Sequence, residues 1–405
     1  MRDWRTSTWG AEVSLEYGKA LRDYCETEGA YRVFGSNGPV GWTSEPLTKG
    51  PGVILGRKGA YRGVRYSQEP FFVIDTAYFV VPKADLDMQW LYYAIIHHRL
   101  GEIDDGSPIP STTRAAVYVR KLQVPSKHEQ LAIAAVLRAL DDKIDLNRRM
   151  NETLEAMARA VFKDWFVDFG PTRAKMDGRP PYLAPDLWAL FPDRLDDKGK
   201  PEHWNIQPMK THCCAVFNGG TPRRGNAEYW NNGNIPWLTS GEVRRPFLIG
   251  TENYITAAGF ENSSAKIIPA DSTVVALYGA TAGQVAFVAS EMTANQAVCT
   301  LIAKKDFRYY NYLVLSSSTQ TLAGMARGSA QQNLSKGLIE EFRAIAAPLQ
   351  VVRGFDQIVS SSFERIVANE REACTLSGMR DILLPKLMSG EIRVRDAERL
   401  MAAVA

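Results

Sequence analysis

The sequence of this chain carries the same pattern twice, and that duplication constrains the fold more than any other feature. Adding 222 to Leu137, Leu140, Ile144, Asn147, Leu154, Val161 and Trp165 reaches Val359, Ser362, Ile366, Asn369, Leu376, Leu383 and Leu387, and only Ser362 changes character. An offset of 220 takes Gly59, Gly63, Asp75, Ala77 and Tyr92 onto Gly279, Gly283, Asn295, Ala297 and Tyr312. A period this long excludes a solenoid and implies a duplicated unit, each copy made of a globular part followed by a long helix.

The 405 residues suit two or three domains. A hydrophobic fraction of 45% with 23% charged residues excludes disordered and fibrous classes, while a net charge of +3 neither requires nor excludes a nucleic-acid partner. Five cysteines without a CxxC pair argue against a disulfide framework or a tetrahedral zinc site, and a structural reading is preferred for His203, His212, Cys213 and Cys214. The opening MRDWRTSTWG lacks a signal-peptide core and no run of 18 apolar residues occurs. The expectation is a soluble, cytoplasmic protein with no membrane partner.

Residues 1–126 alternate β-type runs such as Val53–Leu55, Phe71–Ile74 and Tyr78–Val81 with Gly and Pro punctuation, and one helical stretch around Leu86–Leu100 interrupts them. From Lys127 there is no Gly or Pro until Gly170. Within that segment Leu137, Leu140, Ile144, Asn147, Asn151, Leu154, Ala158, Val161 and Trp165 alternate spacings of three and four, a heptad seam that needs a partner helix. The repeat supplies one in Val359, Ile366, Asn369, Leu376, Leu383 and Leu387, interrupted by Arg380. Asn147 and Asn369 are read as residues that fix register. Residues 170–203, rich in Pro and charge pairs, read as a connector, and 204–348 repeat the α/β texture.

The predicted organisation is therefore a globular domain over 1–126, a helix over 127–169, the connector 170–203, a second globular domain over 204–348, a helix over 349–390 and a tail over 391–405. The fold class is α+β: two pseudo-symmetric α/β domains separated by two long antiparallel coiled-coil helices. Chain order dictates the antiparallel sense, and about 40 helical residues span on the order of 60 Å. Phe162 and Phe166, beside Trp165, are expected to leave apolar helix surface over for partner docking.

The segments YRVFGSNGPVG (31–41), GVILGRKGAYRG (52–63), PFFVIDTA (70–77), PSKHEQLAIAAVLRALDDKI (125–144), NGGTPR (218–223), Pro236-Trp237, Asn295-Gln296 and LLPKLMSGE (383–391) together resemble the specificity subunits of Type I restriction-modification systems. The resemblance spans nearly the whole chain. It implies a non-catalytic subunit in which each globular domain reads one half of a split, asymmetric site in double-stranded DNA. It also implies that the helices set the spacing and dock methyltransferase subunits, two in number, and that the assembly can recruit restriction subunits. S-adenosylmethionine would then belong to the methyltransferase partners, with no cofactor or metal in this chain.

Loop chemistry agrees with DNA reading. Arg57, Lys58, Tyr61, Arg62 and Arg65 place cations, an aromatic ring and permissive glycines in one loop, and Ser36 and Asn37 form a second candidate. In the other half, Thr221, Arg223, Arg224, Tyr278, Thr281, Gln284, Asn295, Gln296, Gln331, Gln332 and Asn333 offer amide, hydroxyl and guanidinium groups, the amides being suited to bidentate contact with adenine. Gly59, Gly63, Gly279 and Gly283 can equally serve as tight turns, and Asp75 and Asn295 as caps or turn formers.

The alternative function is a stand-alone restriction or modification enzyme whose active site is not recognised. Against it, Gly178–Tyr182 (GRPPY) lacks the amide or carboxylate an adenine methyltransferase motif requires, and Asp193…Asp197-Lys198 has the wrong spacing for a nuclease triad. No GxGxxG, P-loop or HExxH pattern occurs.

Overall fold

Short branched and aromatic runs cut off by Gly and Pro become strands wherever a face can be covered. In the computed structural model, which describes residues 4–22, 24, 28–104, 106, 108–327 and 333–402, these runs fall into two units, Met1–Asp145 with Cys374–Ala405 and Leu146–Ala373.

Unit 1 contains β1 (Arg5–Thr8), β2 (Val13–Tyr17), β3 (Tyr31–Gly35), β4 (Gly38–Thr43), β5 (Gly52–Gly56), β6 (Val64–Ser67), β7 (Phe71–Val73), β8 (Ala77–Pro82) and β9 (Lys121–Val124). They form an antiparallel sheet ordered β2-β8-β5-β6, a sheet ordered β4-β3-β7 in which β3 and β7 run parallel, and an antiparallel β1-β9 pair. Every residue of β5 is buried, which is why GVILG shows no polar alternation. The helix Met88–His97 starts where the Asp87 carboxylate accepts from the Trp90 backbone N–H at 2.8 Å, and it packs Trp90, Leu91 and Ala94 over β5 and β6.

Unit 2 contains β10 (Asn205–Pro208), β11 (Cys213–Asn218), β12 (Ile235–Leu238), β13 (Phe247–Leu248), β14 (Asn253–Ile255), β15 (Ser272–Ala276), β16 (Val285–Val288), β17 (Thr293–Ala294), β18 (Val298–Ala303) and β19 (Arg343–Ala346). Its orders are β11-β18-β15-β16-β13, β14-β12-β17 and β10-β19. Replacing each strand by its repeat partner reproduces unit 1, down to the parallel pairing of β12 with β17. Among the described residues the one added strand is β13, parallel to β16. The duplication read from the sequence is one fold built twice.

The two long helices, Lys127–Phe166 and Leu349–Met388, have 40 residues each and are shared between the units, the first at Asp145/Leu146 and the second at Ala373/Cys374. In unit 1, Leu137 and Leu140 share a core with Leu383, Leu387 and Met388. The seam position taken by Arg380 is kept polar by an ion pair, its guanidinium 2.9 Å from the Asp141 carboxylate. In unit 2, Ala158, Phe162, Trp165 and Phe166 share a core with Val351, Val352, Phe355, Val359 and Ile366, and the Trp165 and Phe355 rings lie 6.1 Å apart. The early part of one helix thus meets the late part of the other, and the pair is antiparallel in each unit, as the chain order required. Ile144, Leu154, Val161 and Leu376 are half-buried seam residues.

At the midpoint of both helices the seam turns polar. Asn369 Nδ2 donates to Asn151 Oδ1 at 2.8 Å, Asn147 Nδ2 donates to the Asn369 carbonyl at 3.4 Å and to Glu372 Oε2 at 2.8 Å, and Asn151 Nδ2 donates to Glu370 Oε1 at 2.8 Å. All three asparagines are buried.

Two expectations meet a different arrangement. Phe162 and Phe166 do not leave free apolar surface: they are 5% and 3% exposed, packed on Tyr310 and Phe355 because the unit 2 globular part closes over the end of the helix. Residues 170–203 hold two short helices, Gly170–Met176 and Pro185–Trp188, and bury Thr172, Ala174 and Phe191, with the Phe191 ring 4.9 Å from Trp165. Apolar anchors spaced among the prolines tie this segment to the core. Among the described residues Cys213, Cys214, Cys299 and Cys374 are free, no His/Cys/Asp/Glu cluster could hold a metal, and no helix is long and apolar enough to cross a membrane.

Asn369→Ala removes the donor to Asn151 from a buried layer, so we expect a loss of about 1–3 kcal/mol in urea unfolding. Replacing Asn151 and Asn369 together by Leu should recover most of that loss, since both ends of their hydrogen bond go together and Glu370, which gives up the Asn151 donor, is only half-buried. A change under about 0.3 kcal/mol for Asn369→Ala would mean the layer adds nothing to stability.

Candidate nucleic-acid interface

In unit 1 the β3–β4 turn, the β5–β6 loop and the segment around residues 108–112 are fastened through their backbones. Gly63 N donates to the Ser36 carbonyl at 2.8 Å, Lys58 N donates to Ser36 Oγ at 3.1 Å, and the Ser36 hydroxyl donates back to the Lys58 carbonyl. Arg57 N donates to the Thr76 carbonyl at 3.0 Å, Thr112 N to the Arg57 carbonyl at 2.9 Å, and Gly59 N to the Pro110 carbonyl at 3.0 Å. Gly56 is needed because a Cβ there would lie 2.1 Å from the Ser36 carbonyl, and Gly59 because its φ is +106°. The loop backbone is fixed while its tip stays open.

The side chains on this frame divide into two groups. Lys58, Arg65 and Asn37 are exposed, and Tyr61, at 79%, is the most exposed large apolar side chain among the described residues. Arg57 is half-buried: its guanidinium donates to the Asp75 carbonyl at 2.9 Å and lies 5.1 Å from the Tyr17 ring, over which Arg114 also sits at 4.2 Å. Burial, with Tyr17 alongside, pushes the Tyr78 phenol up to about 12. Arg62 turns inward and donates to the carbonyls of Gly59 (2.7 Å), Gly101 (2.9 Å) and Ile103 (3.0 Å), so its guanidinium serves as an internal brace. Arg65 reaches back to the Asn37 carbonyl at 3.1 Å and joins the two loops.

In unit 2 the comparable position carries different chemistry. The Thr221 hydroxyl donates to Gln296 Oε1, and Gln296 is exposed. Asn295 is a turn former, its Oδ1 accepting from Ala297 N at 3.0 Å. Tyr278 is 38% exposed and follows Leu277, whose N–H donates to the Ala297 carbonyl at 2.8 Å beside the Asn295-Gln296 turn. Thr281 is buried, its hydroxyl donating to the Tyr278 carbonyl at 3.4 Å, and its own carbonyl accepts from Gln284 N at 2.9 Å. Arg223 and Arg224 are exposed on the loop after Thr221, and Asn333 is half-buried. Gln331 and Gln332 lie outside the described residues.

The structure therefore gathers Ser36, Asn37, Arg57, Lys58, Tyr61 and Arg65 in unit 1, and Thr221, Arg223, Arg224, Tyr278, Asn295 and Gln296 in unit 2, while Arg62 and Thr281 face inward. Sequence reasoning missed a cation on an aromatic ring at the β3–β4 hairpin, where Arg32 lies 4.5 Å over the exposed Trp42. The signal was present: Arg32 and Trp42 are cross-strand partners about the Ser36-Asn37 turn. The Tyr17–Arg114 contact spans 97 positions and had no local signal.

A family model described as the Type I restriction modification DNA specificity domain matches residues 15–156 and again 211–360, one match for each copy of the repeat. The chain is 27% identical over 377 residues to the Type I restriction enzyme HindI specificity subunit of Haemophilus influenzae, covering 79% of this chain and 81% of that protein. It is 26% identical over 325 residues to the MjaIX specificity subunit of Methanocaldococcus jannaschii, covering 78% and 72%. Its fold is similar to the crystal structure of a Type I restriction-modification S subunit from M. genitalium, with a TM-score of 0.61 over 95% of this chain and 96% of that one at 17% identity.

The two groups of side chains separate by substitution. Arg62→Ala should cost about 1–3 kcal/mol of stability because it strips a donor from carbonyls that are shielded from water. Lys58→Ala should stay within about 0.5 kcal/mol. Thermal unfolding of both variants checks this, and equal losses would contradict the division.

Proposed function

Because the chain belongs to the Type I restriction modification DNA specificity family, we propose that it is the sequence-reading subunit of a Type I restriction-modification complex. In this reading unit 1 and unit 2 each contact one half of a bipartite, asymmetric target in double-stranded DNA. The observation that carries it is one fold present twice with unlike loops. Cations and an aromatic ring are presented in unit 1, and a hydroxyl–amide pair with arginines in unit 2. Identical heads would read identical half-sites, whereas these cannot. Lys58, Tyr61 and Arg65 would contact phosphates and base edges, with Ser36, Asn37 and Arg57 holding the frame. In unit 2, Gln296 and Tyr278 would face bases, with Thr221 fixing the Gln296 amide and Arg223 on the backbone.

The helix pair would set the distance between the half-sites and seat the methyltransferase subunits, for which Leu146 and Met157 on the first helix and Ile358 and Ile382 on the second offer exposed apolar contacts. S-adenosylmethionine and the methyl transfer would belong to those subunits, and restriction subunits would join the same assembly. The specificity subunits among its relatives support this reader-and-scaffold reading over a stand-alone enzyme.

One heptad inserted into each helix at the level where Asn151 meets Asn369 adds about 10 Å of rise. That should lengthen the unread spacer of the target by roughly three base pairs, at about 3.4 Å per step, with both half-sites unchanged. Mapping methylated adenines in cells that carry the wild-type or the lengthened chain checks it. An unaltered spacer would show that the helices do not set the distance.

A further inference from the structure

The loop Gly219–Arg224 of unit 2 is held from beneath by two indoles. Trp237, fully buried, donates its Nε1–H to the Gly220 carbonyl at 2.9 Å, and Trp230 donates to the Arg223 carbonyl at 3.3 Å. The two rings stand at 89° with centroids 5.0 Å apart. Over them lies Arg224, its guanidinium carbon 4.3 Å from the Trp230 ring and 4.6 Å from the Trp237 ring. The guanidinium therefore rests in the corner of two perpendicular aromatic faces, a site where cation–π attraction fixes orientation without using any N–H donor.

Four arginines of unit 1 contrast with it, although Arg32, 4.5 Å over the Trp42 ring, does not. Arg57, Arg62, Arg65 and Arg114 spend donors on carbonyls, and Arg114 also pairs with Glu16 at 3.5 Å. Among the described residues no carboxylate or carbonyl bonds Arg224, and its side chain is exposed. A planar fork of unspent donors, immobilised before any ligand arrives, suits a planar bidentate acceptor. Phosphate contacts tolerate a mobile cation, whereas discrimination between base edges needs a fixed one. Thr221 stands on the same loop and donates to Gln296 on the turn between β17 and β18, so an amide and a guanidinium are presented together.

Resting on the DNA-reading function above, we infer that Arg224 reads a guanine through its O6 and N7 edge in the half-site bound by unit 2, and that Trp230 is the positioning residue that aims it. No role was assigned to Trp230 from the sequence.

The test is selection of bound duplexes from a random-sequence pool by the full-length chain, wild type and variants, at fixed salt, followed by titration of the selected duplex over a range of salt concentrations. The wild type should return a bipartite target with a guanine in one half-site. Arg224→Ala and Arg224→Lys should each lower the preference for that guanine by roughly 5- to 150-fold, with the other half-site untouched. Trp230→Leu should relax the same position by roughly 2- to 30-fold, Trp230→Phe should relax it less, and adding Trp230→Leu to Arg224→Ala should bring no further loss there.

Arg224 is exposed, so its variants keep the fold, and their unfolding temperatures should match the wild type. If Arg224→Ala leaves every base preference intact and lowers affinity uniformly, with the log–log salt slope reduced by about 0.9, Arg224 holds a phosphate and the inference fails. If the Trp230 variants relax positions that Arg224→Ala does not, the positioning role fails. A wild-type chain that selects no sequence at all would instead overturn the DNA-reading function itself.

Discussion

The fold depends on the antiparallel seam between two helices that lie 222 residues apart in sequence. Neither helix has enough intrinsic propensity to stand alone as a long rod in water, and a heptad stripe needs an opposing stripe to cover it. Unit 1 shows the consequence for folding. Its core is incomplete until Leu383, Leu387 and Met388 from the end of the chain reach Leu137 and Leu140. These contacts have high sequence separation, so closing unit 1 waits on the whole of unit 2 being made. The Asn147, Asn151 and Asn369 layer acts on register: sliding one helix by a turn would leave three buried amides facing apolar neighbours.

On that frame the chain uses one strand order twice and varies only what the loops carry. The central strands β5 and β15 are buried throughout and interchangeable in role. The residues that follow them are not: Arg57-Lys58 leads a cationic tip with Tyr61, whereas Tyr278 follows a strand whose neighbouring turn presents Gln296. Keeping the scaffold and changing the exposed groups gives two loop surfaces of unlike chemistry, which the proposed function takes as the surfaces that read DNA. An asymmetric, two-part target requires that combination.

Parts of this were legible in the sequence for plain physical reasons. Strict three-and-four spacing without Gly or Pro can be little but a long helix, and the repeat named its partner. Strand pairing was not legible, because β3 finds β7 across 39 positions through burial, which leaves no local mark. Arg62 and Lys58 look equivalent in sequence, yet only the positions of the Gly101 and Ile103 carbonyls turn Arg62 inward. Phe162 and Phe166 were read as spare surface because the helix was considered apart from the globular part that covers it. The proline-rich stretch from Gly170 hid its anchors, Phe191 among them, within a composition typical of linkers. Arg224 was visible as a cation, while the perpendicular indoles that orient it come from segments six and thirteen residues further on.

The central claim is that each unit reads its own half-site on a shared antiparallel frame. The most direct measurement is the methylation target of a chain in which residues 205–348 are replaced by a second copy of residues 5–126, joined at the start of β10 and at the start of the second long helix. Two identical heads should direct methylation to a target whose two halves are both the half-site assigned to unit 1. A folded chimaera that still directed methylation to the original asymmetric sequence would contradict the account.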